Sequence, residues 1–233
     1  MLVVIVPRPF FLTTTTTYHM QTQIVSHPAV LIACEQSQTI ATAFRNAGMT
    51  AFSLDILPCY GGHPEYHIIG DALLSVNGDA QVTTEDGTPW RIDGRWDMVI
   101  AHPPCTYLSR VSSVALSKDY NRLDNVIAAR DFFLQILNVD SPHVCVENPI
   151  PMRLADLPRP TQWINPNDFG HKYTKKTGLW LRNLPPLLPT HAKILDAECW
   201  LEHCSNRPAR RAKTFEGIAN AMVSQWSRYL MEG

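Results

Sequence analysis

The sequence predicts a doubly wound α/β protein with a mostly parallel sheet, and three observations predict it. Two short apolar runs, AVLIA at Ala29–Ala33 and WDMVIA at Trp96–Ala101, have the length and composition of strands buried on both faces. Between such runs lie segments with apolar residues at helical spacing, TIATAFRNAG at Thr39–Gly48 and NVIAARDFFLQIL at Asn125–Leu137. Each strand-like run is followed at once by polar residues, namely Glu35, Asp55, Asp71, His102 to Cys105, and Glu147. In a doubly wound sheet the carboxyl ends of the strands form the ligand-binding rim, so these distant positions converge there.

Taken in order, roughly the first 25 residues read as a poorly ordered extension. MLVVIVPRPFFL has no basic residue ahead of its apolar run and carries Pro7 and Pro9, which argues against a signal peptide or a membrane span; Met20 is an alternative start. The strand at Ala29–Ala33 leads into the helix that Gly48 stops, then into a strand at Thr50–Leu54 ending on Asp55. The strand at Trp96–Ala101 ends on the His102-Pro103-Pro104 turn, and the helix at Asn125–Leu137 precedes a strand at His143–Val146. From Pro149 the composition changes, with Pro-rich stretches at Pro149–Pro166 and Leu184–Pro189 that interrupt regular structure, before a final helix at Phe215–Leu230.

A chain of 233 residues supports one main core, so we expect a single domain over residues 26–233 with 151–216 as an appended segment. Apolar residues at 45% and charged residues at 18% exclude a disordered or fibrous chain. The net charge of −1 announces no polyanionic partner, so any nucleic-acid surface must be local. Six scattered cysteines suggest a reduced compartment, the cytoplasm. Neither Cys199 and Cys204 with His203 nor Cys59, His63 and His67 has the spacing of a structural zinc site, and no metal is expected.

Two segments carry chemistry. Methylating an unreactive ring carbon such as C5 of cytosine requires a thiolate that adds to C6, with an acid supporting N3 as charge builds there. Cys105, on a Pro-rigidified turn after one strand, and Glu147, in VENP after the next, suit those two roles, the carboxyl with a raised pKa. Taken singly, Cys105 could be a small buried hydrophobe and Glu147 a capping carboxylate. Asp55 and Asp71 could likewise be turn residues, and the basic run at Asn206–Lys213 a solvated face.

The order of segments resembles the cytosine-C5 DNA methyltransferases from about residue 29 onward. PPCTYLS at Pro103–Ser109 is similar to that family's Pro-Cys motif, ENP at Glu147–Pro149 to its Glu-Asn-Val motif, and GIANAMVSQW at Gly217–Trp226 to its closing Gly-Asn-Ala motif. The resemblance implies a class I S-adenosylmethionine-dependent, Rossmann-like fold, S-adenosyl-L-methionine as cofactor, and double-stranded DNA as partner of a monomer. It implies Cys105 and Glu147 as catalytic residues. It places the cofactor against Cys34, Glu35, Gln36, Ser37, Asp55, Ile56, Asp71, Ala72, His102, Pro103, Asn220 and Ala221, with α-helical backbone amides available after the first strand. The substrate would meet Pro104, Ser109, Asn148, Lys175, Lys176, Thr177, Arg207, Arg210 and Arg211.

Two departures from the family stand out. CEQSQTIATAFRNAG has no glycine before Gly48, where the family has a Gly-rich loop, and only about 35 residues, Arg182–Glu216, replace its large target-recognition domain. Methylation of RNA or a free cytosine nucleotide, methylation of an exocyclic amine, and an inactive nucleic-acid-binding relative therefore stay open.

Overall fold

The computed structural model describes residues 21–200 and 213–231, and its centre is a seven-stranded sheet. The strands in chain order are β1 (Gln23–Ile24), β2 (Ala29–Ala33), β3 (Thr50–Asp55), β4 (His67–Ile69), β5 (Gln81–Thr83), β6 (Pro89–Arg91), β7 (Met98–Ala101), β8 (His143–Pro149), β9 (Gln162–Ile164), β10 (Tyr173–Thr174), β11 (Thr177–Arg182) and β12 (Glu198–Cys199). The large sheet runs β4-β3-β2-β7-β8-β11-β9; it is parallel from β4 to β8, and β11 is antiparallel to both of its neighbours. Counting only its own strands along the chain, the order is third, second, first, fourth, fifth, seventh, sixth.

Alternation along the strands explains why every residue of β2 is apolar. Ala29, Leu31 and Ala33 point to one side, where Phe52, Val99 and Val144 continue the layer and helix α4 (Leu123–Leu137) covers it through Val126, Phe133 and Ile136. Val30 and Ile32 point to the other side with Met98, Ile100, Cys145 and Leu179. There helix α1 (Thr39–Asn46) packs through Ile40, Ala41 and Phe44, and helix α5 (Glu216–Met231) lays down Ile218, Met222, Trp226 and Leu230, four residues apart. The expected single core is thus two apolar layers separated by the sheet. Trp180, Trp200 and Trp226 are core residues.

Helix α1 stops where Gly48 takes φ +83° and its amide donates to Arg45 O at 2.9 Å. Two short helices, α2 (Ala72–Ser75) and α3 (Ser113–Lys118), follow β4 and the loop after β7. A second, three-stranded sheet, β1-β6-β5, packs Val82 into the layer that α4 covers and meets β4 at the Ile68–Thr84 bridge. Most of the extension expected over the first 25 residues lies outside the described residues, but Gln23–Ile24 is paired with Trp90–Arg91 and so is not loose chain. Among the described residues, no helix is long and apolar enough to cross a membrane.

The chain leaves β2 for α1 and β3 on one side, whereas β7 lies on the other. The crevice at the carboxyl ends of β2 and β7 is therefore the topological switch point, where doubly wound sheets bind ligands.

Candidate active site

Five strand ends supply the residues at that crevice. The amide of His102 donates to Ala33 O at 3.0 Å and that of Glu35 to Leu54 O at 3.0 Å, so the segments following β2, β3 and β7 leave the sheet side by side. The half nearest β3 and β4 is acidic. Glu35 is buried and its two carboxyl oxygens accept the amides of Ile40 at 2.8 Å and Ala41 at 3.2 Å. Burial pushes its pKa up, against the His102 charge, these two amides and the Ser37 hydroxyl. The expectation of free amides at the start of α1 is corrected here: Glu35 fills two of them, which is how a loop without glycine caps the helix.

Asp55 ends β3 half-buried, with its Oδ1 accepting the Leu57 amide at 3.0 Å, and burial raises its pKa. Ile56 beside it is exposed, and Asp71 caps α2 by accepting the Leu73 amide at 2.9 Å. Cys34, at φ +59°, is near both acids; burial and their charges push its thiol up to about 12, so it is no nucleophile. Gln36 and Ser37 are spent on the loop itself, through Gln36 Nε2 to Pro58 O at 3.0 Å and Ser37 Oγ to Thr39 Oγ1 at 3.0 Å. Ala72 is buried behind Asp71.

Chemistry distinguishes what this acidic half could hold. A pyrophosphate would meet Glu35, Asp55 and Asp71 with no free α1 amides to receive it, whereas S-adenosylmethionine carries a sulfonium cation, no phosphate, and ribose hydroxyls that a carboxylate such as Asp55 can accept. The residues present therefore fit that cofactor and disfavour a dinucleotide.

The other half joins β7, β8 and β11. Glu147 lies within β8, opposite Leu179 of β11, rather than beyond the strand end as its sequence position suggested. Its Oε2 meets His102 Nδ1 at 3.0 Å, with the two side chains 18% and 11% exposed. Burial disfavours its charge, but the His102 contact, the positive Lys175 and the Thr177 hydroxyl outweigh burial and hold the carboxyl below its ordinary value. The expected raised pKa is thus reversed. His102, expected on the cofactor side, bridges the halves by bonding Glu147 while acting electrostatically on Glu35. Its Nε2 is buried with no hydrogen-bond partner among the described residues, and the adjoining cavity, which Phe215, Ile218 and Met222 help to close, is about 20 Å³, room for one water.

Cys105 is exposed. Its carbonyl accepts the amides of Leu108 at 3.1 Å and Ser109 at 3.0 Å, so it opens a tight turn. That turn is tied to the exit of β8, where Asn148 Nδ2 donates to Pro103 O at 2.7 Å, Arg110 N to Ile150 O at 2.8 Å and Met152 N to Leu108 O at 2.7 Å. Asn148 and Ser109, expected to touch substrate, are buried; Asn148 holds the turn, and Ser109 Oγ meets Ser112 Oγ at 2.9 Å. Pro103 is buried and Pro104 exposed.

Lys175 and Thr177 do converge on Glu147, while exposed Lys176 places its Nζ 5.0 Å from the Trp163 ring centre. Asn220 is on the exposed side of α5, and Ala221 packs into the layer that α5 shares with α1. Arg207, Arg210 and Arg211 lie outside the described residues. Sequence reasoning missed the roof over residues 34–38: buried Gln38 bonds His63 N and O at 3.0 and 2.9 Å, and a side chain on Gly61 would fall 2.6 Å from Ser37 O. No local signal marks either residue. Among the described residues no group of His, Cys, Asp and Glu is arranged to hold a metal.

Compared with known proteins, the chain matches no family model and no curated relative.

Proposed function

We propose that this protein transfers a methyl group from S-adenosylmethionine to C5 of a cytosine in DNA, through a covalent adduct on Cys105. One observation carries this reading: an exposed thiol on the turn after β7 is tied by Asn148 to the strand that bears Glu147, so nucleophile and carboxyl belong to one rigid rim. The antiparallel seventh strand slotted between the fifth and sixth supports the class I methyltransferase fold, and the acidic half supports a cationic cofactor. The cofactor, when bound, supplies an electrophilic methyl group.

Asp55 would accept from the cofactor's ribose, and the Cys105 turn would meet the base, which must leave the duplex stack to be reached. The Cys105 thiolate adds to C6, the Glu147 carboxyl supports N3, and C5 takes the methyl group. A base then removes the C5 proton and Cys105 leaves. Lys175 stands where it favours an electron-rich ring. With little chain between β11 and α5, recognition of a short site is expected.

Transfer of labelled methyl to duplex DNA, RNA and dCMP tests the reading, with Cys105→Ala as control. Transfer to duplex DNA that disappears in the variant is expected; equal transfer by the variant rules out the adduct. A second reading, a nucleic-acid-binding relative without transfer, is favoured by Gln36 and Ser37, expected cofactor contacts that bond within their own loop instead. Calorimetry that finds no S-adenosylmethionine binding would support it.

A further inference from the structure

The carboxyl proposed to support N3 is held ionised, yet a carboxylate has no proton to offer a nitrogen on which charge is building. The proton must come from a neighbour. His102 is within 3.0 Å of Glu147 Oε2, and Lys175 and Thr177 are the other groups against it. Lys175 acts on Glu147 through its charge, whereas the group sought must exchange a proton with the carboxyl near neutral pH. A histidine exchanges protons there, and a hydrogen bond through Nδ1 fixes which nitrogen faces the carboxyl.

His102 cannot touch the base directly through Nε2. That nitrogen is buried with no partner among the described residues. Anything His102 gives the base passes through Glu147, whose side chain retains some exposure.

We propose that His102 is a positioning residue for this reaction, holding the proton that Glu147 delivers to N3 of the target cytosine. This deepens the methyltransferase reading and rests on it. The step balances within the pair. Before addition, His102 and Glu147 share one proton between Nδ1 and Oε2. As the S–C6 bond forms, electrons move to N3 and that proton ends on N3, leaving neutral imidazole and carboxylate. When the C5 proton is lost and the S–C6 bond breaks, the N3 proton returns to the pair, so no outside acid is consumed. The same arrangement explains how an ionised Glu147 can serve where an acid was expected.

Release of tritium from duplex DNA carrying [5-³H]cytosine, without S-adenosylmethionine, reports addition at C6 separately from methyl transfer. Wild type should release tritium and Cys105→Ala should not; no release by wild type overturns the methyltransferase reading and this proposal together. With wild type active, His102→Gln should slow release by about 10²-fold at saturating DNA, with KM within about twofold. The pH profile separates proton supply from mere support. Wild-type release should fall as pH rises and the shared proton is lost, with Glu35, Cys145 and Lys175 the titratable groups that face the pair, and His102→Gln should lose that limb. A variant with wild-type rate, or one slowed equally at all pH with the limb intact, overturns the proposal while leaving the methyltransferase reading standing. If thermal denaturation shows that His102→Gln does not fold, His102→Asn is read by the same criteria.

Discussion

Replacing Asn148 with alanine should loosen the Cys105 turn at a moderate cost in stability, and the size follows from two buried atoms. Asn148 is 1% exposed, and its Nδ2 donates to Pro103 O at 2.7 Å. Truncation leaves that carbonyl without its donor, which costs about 1–3 kcal/mol when water cannot replace it. A partial offset is Asn148 Oδ1, itself buried with no partner among the described residues, whose removal relieves some of that penalty. The remaining ties, Arg110 N to Ile150 O and Met152 N to Leu108 O, survive because they are backbone bonds. A net loss of about 1–2 kcal/mol is therefore expected, or about 3–6 °C in Tm for a chain of this size. Because the loss is local, amide exchange at Leu108 and Ser109 should accelerate by about tenfold, as 1.4 kcal/mol of opening free energy implies. Circular dichroism melts and exchange mass spectrometry read both quantities. A Tm within about 1 °C of wild type, together with unchanged exchange in the turn, would refute the role given to Asn148.

Gly217→Ala places a side-chain carbon 1.9 Å from Phe169 O at the start of α5, so backbone must move; a loss of about 2–3 kcal/mol by urea denaturation is expected, and a neutral substitution would mean α5 is not seated as described. The two rim carboxyls should show opposite pH signs. Glu35 has a folded pKa above its ordinary 4.5, so stability relative to Glu35→Gln is full below that value and is lost as pH rises through the folded pKa. Glu147 has a folded pKa below 4.5, so stability relative to Glu147→Gln is present above the ordinary value and is lost as pH falls through the folded pKa. Urea titrations of both pairs from pH 3 to 8 that give the same sign would contradict these environments.

β2 and β7, at the middle of the parallel half, were legible because they are buried on both faces, whereas the edge strand β4 was not read. Ala29–Ala33 and Met98–Ala101 can contain nothing polar, and their composition says so. The last helix was legible for a related reason, since Ile218, Met222, Trp226 and Leu230 must form one stripe. β11 was hidden: TGLWLR follows two lysines and reads as the end of a polar loop, although Leu179 and Trp180 pack on opposite sides of the sheet. In the candidate site, residue types at strand ends could be read, but pairings across 45 residues could not. The resemblance put Asn148 against the substrate beside Glu147; alternation along β8 turns it the other way, onto Pro103.

That alternation also explains the division of labour at the rim. Residues at the ends of β2, β3 and β4 bring three acids together, which suits a cation, while β8 and β11 bring Lys175 and Thr177 to Glu147, which suits an electron-rich ring. His102 enters from β7, between the two groups, and its charge lowers the pKa of both Glu35 and Glu147. Burial nevertheless wins at Glu35 and loses at Glu147, because only Glu147 also receives the imidazole hydrogen bond and the lysine. Two carboxyls separated by one strand thus have opposite preferences for a proton, and the residue between them is the one able to pass it on.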